Sequence, residues 1–274
     1  MTYSRLLLLL TCMAVLSPSP GSTQDLPLFD AHIHYNQPDW SVYTPETALG
    51  ILDRAGVQWA MVSSTPDDGT LRLFEKAPAR IVPILRPYRT QGDMATWTGG
   101  PSILSYVEHR LQRGIYRGIG EFHMAAGQAR SAVVRGFAQF AVRRGIFLYA
   151  HTDDAGLEEL LRQDPKVRVL WAHAGMFSGP DTVGRLLDRY PNLIVELALR
   201  SDVAPGGQLD PAWRSLFLRH PDRFLVGSDT WVTSQWDRLP EIHASIRAWL
   251  RQLPRDVAEQ LAFKNAARLA GKPH

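Results

Sequence analysis

Between residues 26 and 231 the chain repeats one arrangement: a short apolar run, a polar loop, then a segment with helical period. The apolar runs are 26–34 (LPLFDAHIH), 59–64 (WAMVSS), 80–87 (RIVPILRP), 116–124 (YRGIGEFHM), 146–153 (IFLYAHTD), 167–175 (VRVLWAHAG), 193–199 (LIVELAL) and 224–231 (FLVGSDTW). They are short and rich in Val, Ile, Leu and aromatics, as strands buried on both faces are. Between them the apolar residues fall on helical stripes. In 131–145, Val133, Val134, Phe137, Phe140 and Ala141 share one face with arginines around it. Gly56, Gly114 and Gly145 each end such a stripe, where a left-handed residue closes a helix. Pro45 stands where a first helical turn accepts proline. Eight strands alternating with helices predict an α/β chain folded as a single (β/α)8 TIM barrel over 24–274. An open doubly wound sheet is the alternative. No internal repeat, low-complexity segment or linker interrupts the series.

Composition changes this picture only at the start. The 274 residues are 45% hydrophobic and 21% charged, as one globular domain is. Arg5 precedes an apolar stretch, Leu6 to Leu16, and SPSPGST then breaks any helix. This predicts a signal peptide over 1–23, cleaved near Ser22 or Thr23, and an exported protein, periplasmic or extracellular. The apolar stretch is too short for a bilayer, which needs about 20 residues. A buried N-terminal helix is the plain alternative. Cys12 is the only cysteine, and lipoprotein anchoring through it is the lesser variant because Thr11 precedes it. Once this segment is removed no thiolate remains, so any metal falls to His and carboxylates. The net charge of +3 is dispersed, which gives no expectation of nucleic acid. The expected partner is a small-molecule substrate, with no transmembrane segment in the mature chain and homo-oligomers left open.

The candidate chemistry sits at the ends of the apolar runs. His32 and His34 close the first, and residues i and i+2 of a strand point one way. Glu121 and His123 close the fourth, His151 the fifth, His173 the sixth and Asp229 the eighth. Taken singly, each is a solvated strand-end histidine, an exposed glutamate or a turn-capping aspartate. Together they occupy the strand ends at which barrels build their sites. His109, His220, His243 and His274 fall in helical or terminal segments and are given no site role. Imidazole and carboxylate without thiolate suit zinc first, with manganese, iron or nickel as alternatives.

With FDAHIH, GEFH, YAHTD, WAHAG, GSDT and the closing LPRDVAEQLAFKNAARL in place, the chain from Leu26 to Ala270 resembles the metal-dependent amidohydrolase superfamily, in its amidohydrolase-related (amidohydrolase 2) branch. The resemblance implies that His32 and His34 bind a buried divalent metal, with Asp229 a further ligand. It implies that His151 and His173 bind a second ion, or that one binds the first ion while the other contacts substrate. Glu121 takes the position that bridges two metals in dinuclear members, often as a carboxylated lysine, and as a glutamate in the barrel deoxyribonucleases; mononuclear members need not use it. One or two ions are therefore open.

The implied activity is metal-assisted hydrolysis of an amide, ester, lactone or phosphoester, with Asp229 and His173 catalytic. The alternatives are non-oxidative decarboxylation on the same barrel, and a secreted metal-site protein without catalysis. His123, Arg86 and Trp231 are expected to contact substrate. Further loop residues, Trp40, Tyr43, Tyr88, Arg89, Trp97, Arg200 and Trp236, suit an organic acid or an aromatic ring, or else simply cover the barrel mouth. The Gly/Pro-rich segment 201–210 is a candidate lid.

Overall fold

The computed structural model describes residues 26–273, so the segment expected to be a signal peptide, Cys12 and His274 lie outside the described residues. Eight strands follow the order of the apolar runs: β1 (Leu28–Ile33), β2 (Val57–Val62), β3 (Ile81–Leu85), β4 (Gly118–His123), β5 (Phe147–His151), β6 (Val169–Trp171), β7 (Leu193–Glu196) and β8 (Phe224–Leu225). Each pairs in parallel with the next, so the sheet order is the chain order. The ring closes where Ala31 N–H donates to Val226 O at 2.9 Å and Asp229 N–H to His32 O at 2.7 Å. This is the (β/α)8 barrel and not the open sheet.

One principal helix follows each strand: α1 (Pro45–Arg54), α2 (Asp68–Lys76), α3 (Pro101–Leu111), α4 (Ala132–Arg144), α5 (Asp154–Leu161), α6 (Pro180–Arg189), α7 (Pro211–Arg219) and α8 (Gln235–Leu250). The local reasons are those in the sequence. In α4 the Ser131 hydroxyl accepts from Val134 N–H at 3.2 Å, the predicted stripe is buried, and Gly145 ends the helix at φ 65°. Gly56 and Gly114 adopt φ 66° and 71°. Helix α8 packs on α1 to complete the outer ring. A closing helical segment, Arg255 to Ala270, brings Ala266, Ala267 and Ala270 against Phe29, Met61, Val82 and Leu225 at the strand starts.

Two differences from the apolar pattern have physical causes. Strand β2 begins two residues before its apolar run because Leu28 pairs with Val57. Strands β6 and β8 stop well short of theirs because the chain turns left-handed. His173, Ala174, Gly175 and Met176 have φ of 54°, 48°, 72° and 60°, and Asp229 has 55°. Side chains other than glycine, aspartate and asparagine rarely adopt that region, and such residues gather at functional sites. Among the described residues no helix is long and apolar enough to cross a membrane.

Candidate metal centre

Four side-chain atoms converge at the strand ends. His32 Nε2 and His34 Nε2 are 3.2 Å apart. Glu121 Oε2 lies 3.5 Å from the first and 3.3 Å from the second. Asp229 Oδ1 lies 3.6 and 3.2 Å from them. His173 Nε2 stands beside the group, 3.4 Å from Glu121 Oε1 and 3.6 Å from Asp229 Oδ2. All five residues are buried.

The outward ring nitrogens show what the inward ones are. His32 Nδ1–H donates to Glu196 Oε2 at 3.0 Å, and His173 Nδ1–H donates to Ala198 O at 2.9 Å. His34 Nδ1 lies against Ser63 O. The partners of His32 and His173 only accept, so in the neutral ring their proton sits on Nδ1 and Nε2 is left with a lone pair; His34 Nδ1 also meets the donor Arg86 Nη1 at 3.3 Å. Asp229 Oδ1 and His173 Nε2 are buried and make no hydrogen bond. A buried acceptor without a partner costs about 1–3 kcal/mol, and a cation among His32, His34 and Asp229 satisfies the aspartate oxygen. Ligand atoms about 2.1 Å from a tetrahedral ion lie about 3.4 Å from one another, which matches the separations within His32, His34 and Asp229 and those of Glu121 from the two imidazoles. The donor set fits a divalent cation.

Electrostatics agree. Burial alone depresses the His32 imidazole, but the charges of Asp229, Glu121 and Glu196 outweigh it and raise its pKa well above the ordinary value. Burial pushes the Glu121 carboxyl up, yet His32, His151 and His173 hold it well below the usual range. Asp229 likewise ends at about 2, with burial opposed by His32 and His34. The site favours positive charge beside His32 and ionised carboxylates around it.

A second layer fixes these groups, and sequence reasoning missed most of it. Glu196, fully buried in β7, accepts from His32 Nδ1–H, from His173 N–H at 3.3 Å and from Ala198 N–H. Its only mark in the sequence is a lone acid inside the apolar run LIVELAL. Asp30 accepts from His32 N–H at 2.9 Å, Ser228 N–H at 3.1 Å, Ser228 Oγ–H at 2.6 Å and His243 Nε2 at 2.8 Å. One carboxylate thus joins the ends of β1 and β8, and the buried His243 of α8 holds it. Gly227 leaves room for this packing, since a Cβ there would stand 2.5 Å from Glu196 Oε1 and 2.7 Å from His32 Cβ.

The remaining expected residues divide. His151 Nδ1–H donates to Glu121 Oε1 at 2.9 Å, so Glu121 presents one oxygen to the His32 and His34 pair and the other to His151 and His173. Glu121, His123 and His151 form a further group whose ligand atoms lie within 4.8 Å of one another. His123 packs against His151 with ring centroids 4.4 Å apart and planes tilted by 31°, and burial brings its pKa down to about 4.

Arg86, expected against substrate, is buried and donates from Nη2 to Glu121 Oε2 at 3.1 Å and from Nε to Glu121 O at 3.3 Å. Trp231 stands 60% exposed, two residues past Asp229. Tyr43, Tyr88, Trp97 and Trp236 are core residues, and Trp40 is half-buried. The segment 201–210 is fastened by Gln252, which accepts from Leu209 N–H at 2.9 Å and donates to Gly207 O at 2.8 Å.

Comparison with known proteins places this geometry. Among solved structures, a homolog of TatD from Escherichia coli is similar at 16% identity and a TM-score of 0.67, covering 90% of this chain and 99% of that one. A probable 2-pyrone-4,6-dicarboxylic acid hydrolase from Acinetobacter baumannii, with citric acid bound, is similar at 15% identity and 0.62, covering 89% and 99%. A putative enzyme of the same description from Pseudomonas putida gives 16% and 0.62, covering 90% and 98%. At these identities the likeness is one of fold. No curated protein matches the chain significantly. The amidohydrolase family model matches residues 102–271, from α3 through the closing segment. That span carries Glu121, His151, His173 and Asp229, and the fold adds His32 and His34 from β1 to the same point; the chain belongs to the amidohydrolase family.

Proposed function

We propose that the protein is a metal-dependent hydrolase of a small organic amide, ester, lactone or phosphoester. His32, His34, Glu121 and Asp229 hold one divalent cation, zinc by the nitrogen and oxygen donors and their spacing. When bound, such an ion polarises the bond under attack and makes water acidic enough to attack at neutral pH. The convergence of four buried ligand-type atoms at 3.2–3.6 Å carries this reading.

The chain's own residues supply the rest. Asp229 takes the proton of the attacking water at a carboxylate oxygen and returns it to the leaving group. Its Oδ2 is 3.6 Å from His173 Nε2, whose outward nitrogen is fixed on Ala198 O, so the imidazole is held in place to contact substrate. Arg86 keeps Glu121 ionised and oriented by donating to both its carboxylate and its carbonyl. Buried walls exclude bulk water from these groups.

Reconstitution with zinc and assay against a panel of amides, esters, lactones and phosphoesters tests the reading, with products identified. Hydrolysis that chelation abolishes and zinc restores is expected. Release of CO₂ from carboxylic acids without hydrolysis would replace it with the decarboxylase alternative. The export of the chain, with loss of residues 1–23, is proposed on the Arg5-plus-apolar segment. N-terminal sequencing of native protein checks it, and an intact Met1 in a cytosolic fraction contradicts it.

A further inference from the structure

On the β4–β6 side of the mouth a cleft of about 530 Å³ opens beside the metal centre. It joins that centre through His151, whose ring is 4.9 Å from His173 and whose Nδ1 touches Glu121. His123 and His151 form its inner end, Met94, Met124, Met176 and Phe177 supply its large apolar side chains, and Gln128, Thr152 and Asp153 are its other polar ones. Three of the chain's six methionines are thus gathered at one opening. Unbranched thioethers adapt to apolar and aromatic surfaces of varied shape.

Phe177 is 94% exposed, the most exposed large apolar side chain among the described residues. The left-handed run from His173 to Met176 delivers it there, so the turn that aims His173 inward also presents this ring at the cleft.

Charge is the second observation. No lysine or arginine lines the cleft. Its one acidic residue, Asp153, is turned to cap α5, accepting from Gly156 N–H at 2.7 Å. The three arginines expected to receive an acidic substrate are already engaged. Arg86 is on Glu121. Arg89 makes a two-point pair with Asp93 at 2.9 and 2.8 Å. Arg200 makes one with Asp202, 2.7 Å at each contact, and also donates to three backbone carbonyls. A substrate carboxylate in the cleft would lose water and gain no cation.

We propose that this cleft binds an uncharged apolar group, aromatic or alkyl, so that the substrate is a neutral ester, lactone or amide and not a dicarboxylate of the kind named for two of the structural relatives. The proposal rests on the hydrolase reading for its chemistry and on the cleft alone for its selectivity. In the reaction water adds across the acyl–oxygen bond: phenyl butanoate gives butanoate and phenol, and one proton is released to solvent.

The test compares phenyl butanoate with two monocarboxylate analogues, one charged on the ring and one at the end of the acyl chain, on zinc-loaded protein. The neutral ester should exceed both in kcat/KM by about 10-fold or more, within the range that pocket contacts set. Phe177→Ser should lower the neutral ester by several-fold with metal content unchanged. Phe177→Arg should narrow or reverse the preference. Both variants keep the fold because the side chain is solvent-facing.

Binding of the neutral dye N-phenyl-1-naphthylamine, with and without zinc, is read in parallel by fluorescence. It should saturate on wild type and weaken in both variants. If no ester is cleaved while the dye behaves so, the hydrolase reading fails and the cleft stands. A carboxylate analogue cleaved faster than the neutral ester, or dye binding indifferent to Phe177, overturns the proposal.

Discussion

The two sides of the barrel mouth are built on opposite rules. Where His32 and His34 of β1 meet His173 at the end of β6, each imidazole has an acceptor behind it: Glu196 behind His32, Ser63 behind His34, Ala198 behind His173. A further carboxylate, Asp30, ties the two ligand-bearing strand ends together and is itself held by His243. On the β4–β6 side the imidazoles of His123 and His151 are partly exposed, and thioethers and a solvent-facing ring surround them. The first side is specified atom by atom, as a cation site has to be. The second is apolar and adaptable, as a surface for part of an organic molecule is. Changes among the ligands and the groups behind them should therefore move metal and turnover, and changes at the solvent-facing Phe177 should move selectivity with metal unchanged.

The largest effect should come from Asp229→Asn. Asparagine also tolerates the left-handed backbone at φ 55°, so the turn persists. The amide cannot take a proton, and turnover should fall by about 10²–10⁴-fold. Steady-state kinetics with metal measured on the same sample decides it, and activity within a few-fold of wild type would remove Asp229 from the mechanism. Its side chain has no competing structural task, since α8 is preceded by Ser234 and Asp229 Oδ1 bonds nothing.

Next comes Glu196→Gln. All the donors around Glu196 point at its oxygens, so an amide NH₂ would face another donor. Metal affinity should drop by about 10–100-fold, the usual worth of such a support. Competition with a chelator measures it; unchanged affinity would reduce Glu196 to packing.

Proton release follows. Asp229, Glu121 and Glu196 raise the His32 pKa against burial, so falling pH adds a proton at Nε2, where the cation would bind. Metal uptake should release that proton, and affinity should climb about tenfold per pH unit below the His32 pKa. Calorimetry in two buffers of different ionisation enthalpy reads this directly; uptake without proton release contradicts it.

The smallest effect on metal is expected for His243→Ala. Asp30 keeps its bonds to His32 N–H and Ser228, so affinity should fall only a few-fold. Stability should fall by about 3 kcal/mol, because a buried carboxylate loses its partner. Thermal unfolding and metal titration on the same variant separate the two. Unchanged stability would mean that the link from α8 to β1 carries no weight.

How legible this was in the sequence differed between the two sides. The barrel was readable because eight apolar runs and their glycine-capped helices each state their own conformation locally. The ligands were readable because they close those runs, and FDAHIHY shows two of them at once. Glu196 was not, because one acid inside LIVELAL looks like any other strand residue until the fold sets it behind His32. His243 lies 213 residues from Asp30, and nothing local marks the pairing. Arg86 was read by its place in a loop, whereas its guanidinium turns inward to Glu121. The cleft was invisible for the same reason: Met94, Met124 and Met176 belong to three separate loops that only barrel closure brings together.

The central claim is that His32, His34, Glu121 and Asp229 surround one divalent ion, and X-ray absorption on zinc-loaded protein tests it most directly. The account predicts a shell of nitrogen and oxygen at about 2.0–2.2 Å without sulfur, including two imidazoles, and its loss in His32→Ala and in His34→Ala. A wild-type protein that takes up no ion at saturating zinc, or one whose shell survives both substitutions, would contradict it.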